Sequence, residues 1–97
     1  MLKFVTFVVT AENHPDVLAR AVLLLHRLAI PIRALTMIQP ERSSRRIHMT
    51  IHLKIDPAHA PRIAASLSKI VHVLSVESRN EDAKSAAQTE RLLTPTP

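Results

Sequence analysis

Six histidines, seven serines and eight carboxylates are the side chains of this 97-residue sequence with the chemistry for metal binding or catalysis. His48 and His52 fall on one face of an alternating run, but four residues at ~3.3 Å each set them about 13 Å apart, whereas two ligands of one zinc lie within a few ångströms. A shared metal would need His72 from another strand. The reading preferred is solvent-exposed strand histidines that make their face more basic in acid. With no Cys, thiolate metal sites, disulfides, iron–sulfur ligation and cysteine nucleophiles are excluded. With no Gly, the loops that bring bare backbone up to a phosphate are excluded too. The serines have no nucleophile motif around them, and Glu12 and Asp16 flank a helix start, where negative charge complements the dipole. No catalytic residue, no metal ligand and no cofactor bound by this chain is expected.

The elements that would position these residues are readable from periodicity. Residues Leu2 to Thr10 are β-branched and aromatic and stop at the polar cluster Glu12-Asn13-His14-Pro15-Asp16, which predicts a strand and then a helix start. Pro15 suits the first helical turn, with Asn13 or His14 as N-cap. Val17, Leu18, Ala21, Val22, Leu25 and Leu28 recur at helical spacing, so the first helix is expected from about Pro15 to Leu28. Pro31 ends it. Ile32 to Gln39 predicts a second strand, apolar on both parities and hence expected to be buried on both faces. Residues 41 to 45 are expected to be a polar hairpin loop.

The third strand, Arg46 to Ile55, alternates without a break: Ile47, Met49, Ile51, Leu53 and Ile55 are apolar, and the five residues between and before them are polar. Asp56-Pro57 caps a second helix whose stripe is Ala60, Ile63, Ala64, Leu67 and Ile70. Val71 to Ser78 predicts the fourth strand. The order β-α-β-β-α-β implies an α+β, ferredoxin-like domain over residues 1–78: a four-stranded antiparallel sheet in spatial order 4-1-3-2 with both helices on one face. Residues 79–97, poor in apolar side chains and ending Thr-Pro-Thr-Pro, are expected to be a mobile C-terminal tail.

The net charge of +5 lies wholly in residues 1–78, where ten Lys/Arg face five Asp/Glu. Such a balance suits either nucleic acid or an acidic protein. RNA-recognition motifs share this fold, but they stack bases on aromatics of the first and third strands, and the third strand here offers His48, Thr50 and His52. Nucleic acid is therefore not the expected partner. The apolar stretch after Lys3 lies at the lower limit for a signal peptide, and no run approaches the ~20 residues of a membrane span. A soluble, cytoplasmic protein is expected.

The strand FVTFVVTA, the turn Glu12-Asn13-His14-Pro15-Asp16-Val17-Leu18, the helix ARAVLLLHRLAIPIRALTM and the segment LSKIVHVLSV resemble an ACT domain, specifically the small regulatory subunit of acetolactate synthase (acetohydroxyacid synthase), with the short isozyme II-type subunit most similar. Its most specific pieces are E-N-x-x-x-x-L entering the first helix and L-x-K-[IL]-V-x-V entering the last strand. The resemblance implies a non-catalytic chain that binds and activates a separate catalytic subunit in branched-chain amino-acid biosynthesis. Thiamine diphosphate, Mg and FAD are expected on that partner. It also implies paired domains with an effector amino acid between the first turn of one copy and the second strand of the other: Glu12, Asn13, His14, Asp16, Val17 and Leu18 with Pro31 and Ile32.

Two positions depart from the family pattern: Asp16 stands where the turn usually has Gly, and Pro31 where feedback-inhibited relatives have Asn. A side-chain carboxylate in the turn and a missing Pro15 N–H both act against an effector carboxylate, so Val is expected to bind weakly or not at all. Self-association is expected through the second strand, which has Arg33 as its one charge, or through the first helix beside it. Arg42, Arg45 and Arg46 on the hairpin are the expected contact with the catalytic subunit. A free-standing ACT amino-acid sensor, and a basic RNA-binding module, are the alternatives.

Overall fold

The structure is a computed structural model that describes residues 1–41 and 45–81. Arg42 and residues 82–97, and with them most of the expected tail, lie outside the described residues. The chain runs β1 (Lys3–Glu12), α1 (Pro15–Arg27), β2 (Ile32–Ile38), β3 (Arg46–Ile55), a short 3-10 turn (Pro57–His59), α2 (Ala60–Ser68) and β4 (Val73–Glu81). One four-stranded sheet has the order β2-β3-β1-β4, with each neighbouring pair antiparallel. This is the expected order read from the other edge.

Burial in β3 follows the parity read from its sequence, and the pairing puts the matching parity of β1 on the same face. Val5, Phe7, Val9 and Ala11 of β1 sit opposite Leu53, Ile51, Met49 and Ile47 of β3, and all eight are buried. They meet Val17, Ala21 and Leu25 of α1 and Ala60, Ile63 and Leu67 of α2 in one apolar core. Both helices therefore cover the same face, and residues of the other parity form the opposite, open face. There His48 and His52 are half-buried rather than solvent-exposed. Their Nδ1 atoms pair with Thr10 Oγ1 at 3.2 Å and Thr6 Oγ1 at 3.0 Å, because the register sets each histidine directly across from a β1 threonine.

Three features differ from expectation. β2 has no buried residue: Met37 and Ile38 are 38% and 56% exposed. An edge strand of a sheet covered on one side has no second layer to bury its other parity, so the burial on both faces expected of β2 does not occur. β4 starts at Val73 rather than Val71, since His72 adopts φ 76° in the preceding turn. It continues to Glu81 because β1 extends far enough to pair with it, Phe4 lying opposite Glu81. The second helix begins with the 3-10 turn, whose cap is Asp56: Ala58 N–H donates to Asp56 Oδ1 at 3.0 Å. That backbone hydrogen bond holds the Asp56 carboxyl below its ordinary pKa.

Without glycine, α1 ends on an alanine. Ile30 N–H donates to Leu25 O at 2.9 Å and Ala29 N–H to His26 O at 3.0 Å, the paired bonds of a Schellman motif, and Ala29 takes the left-handed conformation at φ 57°. A Cβ in that region costs about 1 kcal/mol. Ala29→Gly is expected to stabilise the chain by about 0.5 kcal/mol, the relief being partly offset by a more flexible unfolded chain. Urea denaturation at equal slope would show the midpoint moving up; a lower midpoint would contradict the strain.

Among the described residues no helix is long and apolar enough to cross a membrane, and no three His, Asp or Glu side chains are placed to hold a metal ion.

Candidate functional site

The β1–α1 turn is built by His14. Its backbone is extended (φ −129°, ψ 134°), its ring Nδ1 accepts the Asp16 N–H at 3.2 Å, and its carbonyl accepts the Val17 N–H at 3.1 Å. Pro15 has no N–H to satisfy. The first donors of α1 are thus occupied by the cap itself, and the Asp16 carboxylate lies 3.8 Å from the His14 ring. A helix start arranged this way offers little to an anion.

The start of β4 is tied to the same turn. Glu12 N–H donates to the His72 carbonyl at 2.9 Å, and Glu12 Oε2 lies 3.1 Å from His72 Nδ1. The His72 and His14 rings stack with centroids 4.3 Å apart and 16° between planes. These contacts hold His72 in a left-handed backbone conformation that a residue with a Cβ adopts at a cost. On the other side, Asn13 N–H donates to Arg45 O at 2.6 Å, which brings the end of the hairpin against the turn. Between these walls lies an open cleft of about 490 Å³ lined by Glu12, Asn13, His14, Arg45, Arg46 and Leu74.

Of the residues expected to hold an effector, Glu12, Asn13 and His14 line this cleft, and Asp16 is exposed beside it. Val17 is fully buried in the core and Leu18 packs half-buried against it, so these two anchor the turn. Pro31 and Ile32 are at the far end of the sheet: Ile32 pairs with Leu53, which pairs with Val5, and Val5 to Glu12 spans about 23 Å. Within one chain the two halves of the expected site do not meet. They would meet only across two copies.

Arg45 and Arg46, expected at a partner contact, share the cleft with Glu12, Asn13 and His14, because Glu12 pairs with Arg46. Sequence reasoning treated the hairpin and the turn separately and missed that they are neighbours. It also missed His72. The available signal was a histidine at the start of a strand that must pair with β1 near Glu12.

Neither a protein-family model nor a curated protein sequence matches the chain. Solved structures do. The ACT domain of GTP pyrophosphokinase from Chlorobium tepidum superposes with a TM-score of 0.67 at 10% identity, covering 81% of this chain and 100% of that one. The C-terminal domain of the MgtC protein from Mycobacterium tuberculosis gives 0.68 at 22% identity, covering 84% and 90%. An uncharacterised protein from Thermotoga maritima gives 0.66 at 18% identity, covering 84% and 100%. At these identities the likeness is one of fold, and the chain has the ferredoxin-like α+β fold that ACT domains have.

Proposed function

We propose that this chain is a non-catalytic regulatory domain, the small subunit that binds and activates a thiamine-diphosphate-dependent acetolactate synthase catalytic subunit. What carries the reading is the placement of the E-N-x-x-x-x-L turn: on an ACT-type fold, Glu12, Asn13 and His14 of that motif line a cleft at the first strand-to-helix turn. Glu12 would face an effector's ammonium group, Arg45 and Arg46 its carboxylate. Pro31 and Ile32 would come from a second copy. Arg42, Arg45 and Arg46 are also proposed to steer the hairpin toward an acidic surface of the catalytic subunit. An effector in the cleft and a partner on the hairpin would then share two arginines, which couples the two binding events.

Effector affinity is set by opposing terms. His14 occupies the first helix donors and Asp16 adds a like charge, which costs an incoming carboxylate about 1 kcal/mol in water and more at lower dielectric. The two arginines act the other way. Calorimetry with Val, Leu and Ile is expected to show binding no tighter than millimolar, weakened further by Arg45→Ala. Micromolar Val binding that is lost on altering Asp16 would contradict this account of the turn. Co-expression with an acetolactate synthase catalytic subunit is expected to give one peak on gel filtration; separate peaks together with tight amino-acid binding would favour a free-standing sensor.

A further inference from the structure

We infer that the outer surface of the helix layer is a docking groove for an acidic amphipathic helix of a partner protein. Arg20, Leu23 and Arg27 of α1 and Lys69, Ile70 and Val71 after α2 line a groove of about 250 Å³ between the two helices. Leu23 and Val71 are 52% and 59% exposed. Aliphatic side chains standing that far out of a helix pair whose apolar stripes already fill the core are surplus to folding.

The charge around them has one sign. α1 and α2 together carry Arg20, Arg27 and Arg62 against one acid, Asp16, which sits at the start of α1 beside His14. Lys69 adds a fourth cation at the end of α2. Among the described residues, Arg20, Arg27, Arg62 and Lys69 have no ion-pair partner. A second copy cannot dock here by the same face, since that would set cations against cations. The occupant that fits is a helix with two or three aliphatic residues on one stripe and carboxylates flanking it. Nucleic acid fits less well, because Phe4 and Phe7 are both in β1 and the helix layer has no Phe, Tyr or Trp to form a stacking platform beside the exposed aliphatic side chains. A bilayer would require a wider apolar stripe than Leu23, Ile70 and Val71 supply.

Only the identity of the partner depends on the regulatory reading above, so the test uses a defined probe. A synthetic peptide of about 15 residues, four turns long, held helical by a side-chain staple on its outer face, with Leu at i, i+3, i+4 and i+7, Glu flanking that stripe and Ala elsewhere, is titrated into the full chain and followed by amide NMR. Controls are the same peptide with Ser for Leu, the same with Lys for Glu, and vesicles containing phosphatidylserine. The expected result is saturable shifts centred on Arg20, Leu23, Arg27, Lys69 and Val71. Affinity should fall about tenfold in Arg20→Glu/Lys69→Glu and severalfold in Leu23→Ser, with both variants keeping the dispersed spectrum of a folded chain. Shifts centred elsewhere, equal binding of the Ser peptide, indifference to Leu23→Ser, or saturation by vesicles but not by the peptide would each overturn the assignment. If the peptide docks here but no acetolactate synthase subunit co-elutes, the groove stands and the choice of partner fails.

Discussion

Phe7→Ala is expected to remove most of the stability of this chain. Phe7 is the largest fully buried side chain, at the centre of β1 and paired with the equally buried Ile51 of β3. No second buried aromatic exists to take up its space, because Phe4 lies on the open face with the Arg33 guanidinium 4.7 Å from its ring centre. Removing a buried phenyl ring costs about 3–5 kcal/mol, against a total toward the lower end of roughly 5–15 kcal/mol for a domain this small. Ile51→Val, which deletes one methylene from the same spot, should cost only about 1 kcal/mol. Urea unfolding followed by circular dichroism separates the two: the alanine variant should have little or no folded baseline, while the valine variant keeps a cooperative transition. Similar midpoints for both would mean that the core is not centred where Phe7 meets Ile51.

The second large effect is expected at the β2 edge. The two edges of the sheet differ in how they are defended. β4 presents Glu77 and Arg79, paired at 3.6 Å, whereas β2 has Arg33 as its one charge, and that guanidinium is turned over the Phe4 ring. The outer backbone groups of β2 are thus left with Met37 and Ile38 exposed beside them, an edge prone to pair with another strand. We expect a homodimer that buries two such edges. The one-signed charge of the helix layer argues against the first helices as the main contact. Met37→Lys/Ile38→Lys puts a cation on each face of the edge, Met37 lying opposite Met49 and Ile38 opposite His48. Across two copies this should cost roughly 3 kcal/mol or more, at least about a hundredfold in dimer affinity. Analytical ultracentrifugation should show the wild-type chain as a dimer at high micromolar concentration and the variant as a folded monomer. A monomeric wild type would remove the dimer, and with it the meeting of Glu12, Asn13 and His14 with Pro31 and Ile32.

The fold was readable because its signals are local and consistent. The alternation from Ile47 to Ile55 set the parity of β3, and the observed register places Phe7 and Val9 of β1 opposite Ile51 and Met49 on the same face. Pro15 and Asp56 marked helix starts by mechanisms that act within three residues. What was not readable depends on register and on backbone conformations unusual for the residue type. Nothing near His72 in the sequence shows that its ring stacks on His14, 58 residues earlier, or that it adopts a positive φ. The cleft likewise exists only because Glu12 pairs with Arg46. The buried position of Val17 and the distance of Pro31 from the turn are consequences of the same three-dimensional placement, and motif matching alone does not carry them.

The decisive measurement is a rate. Purified chain is titrated into an acetolactate synthase catalytic subunit at fixed concentration, and acetolactate formation is followed with and without Val. The regulatory reading predicts activity that rises and saturates near one small subunit per catalytic subunit, no activity from the chain alone, and little loss on adding Val. A flat titration with no co-elution of the two proteins would contradict it.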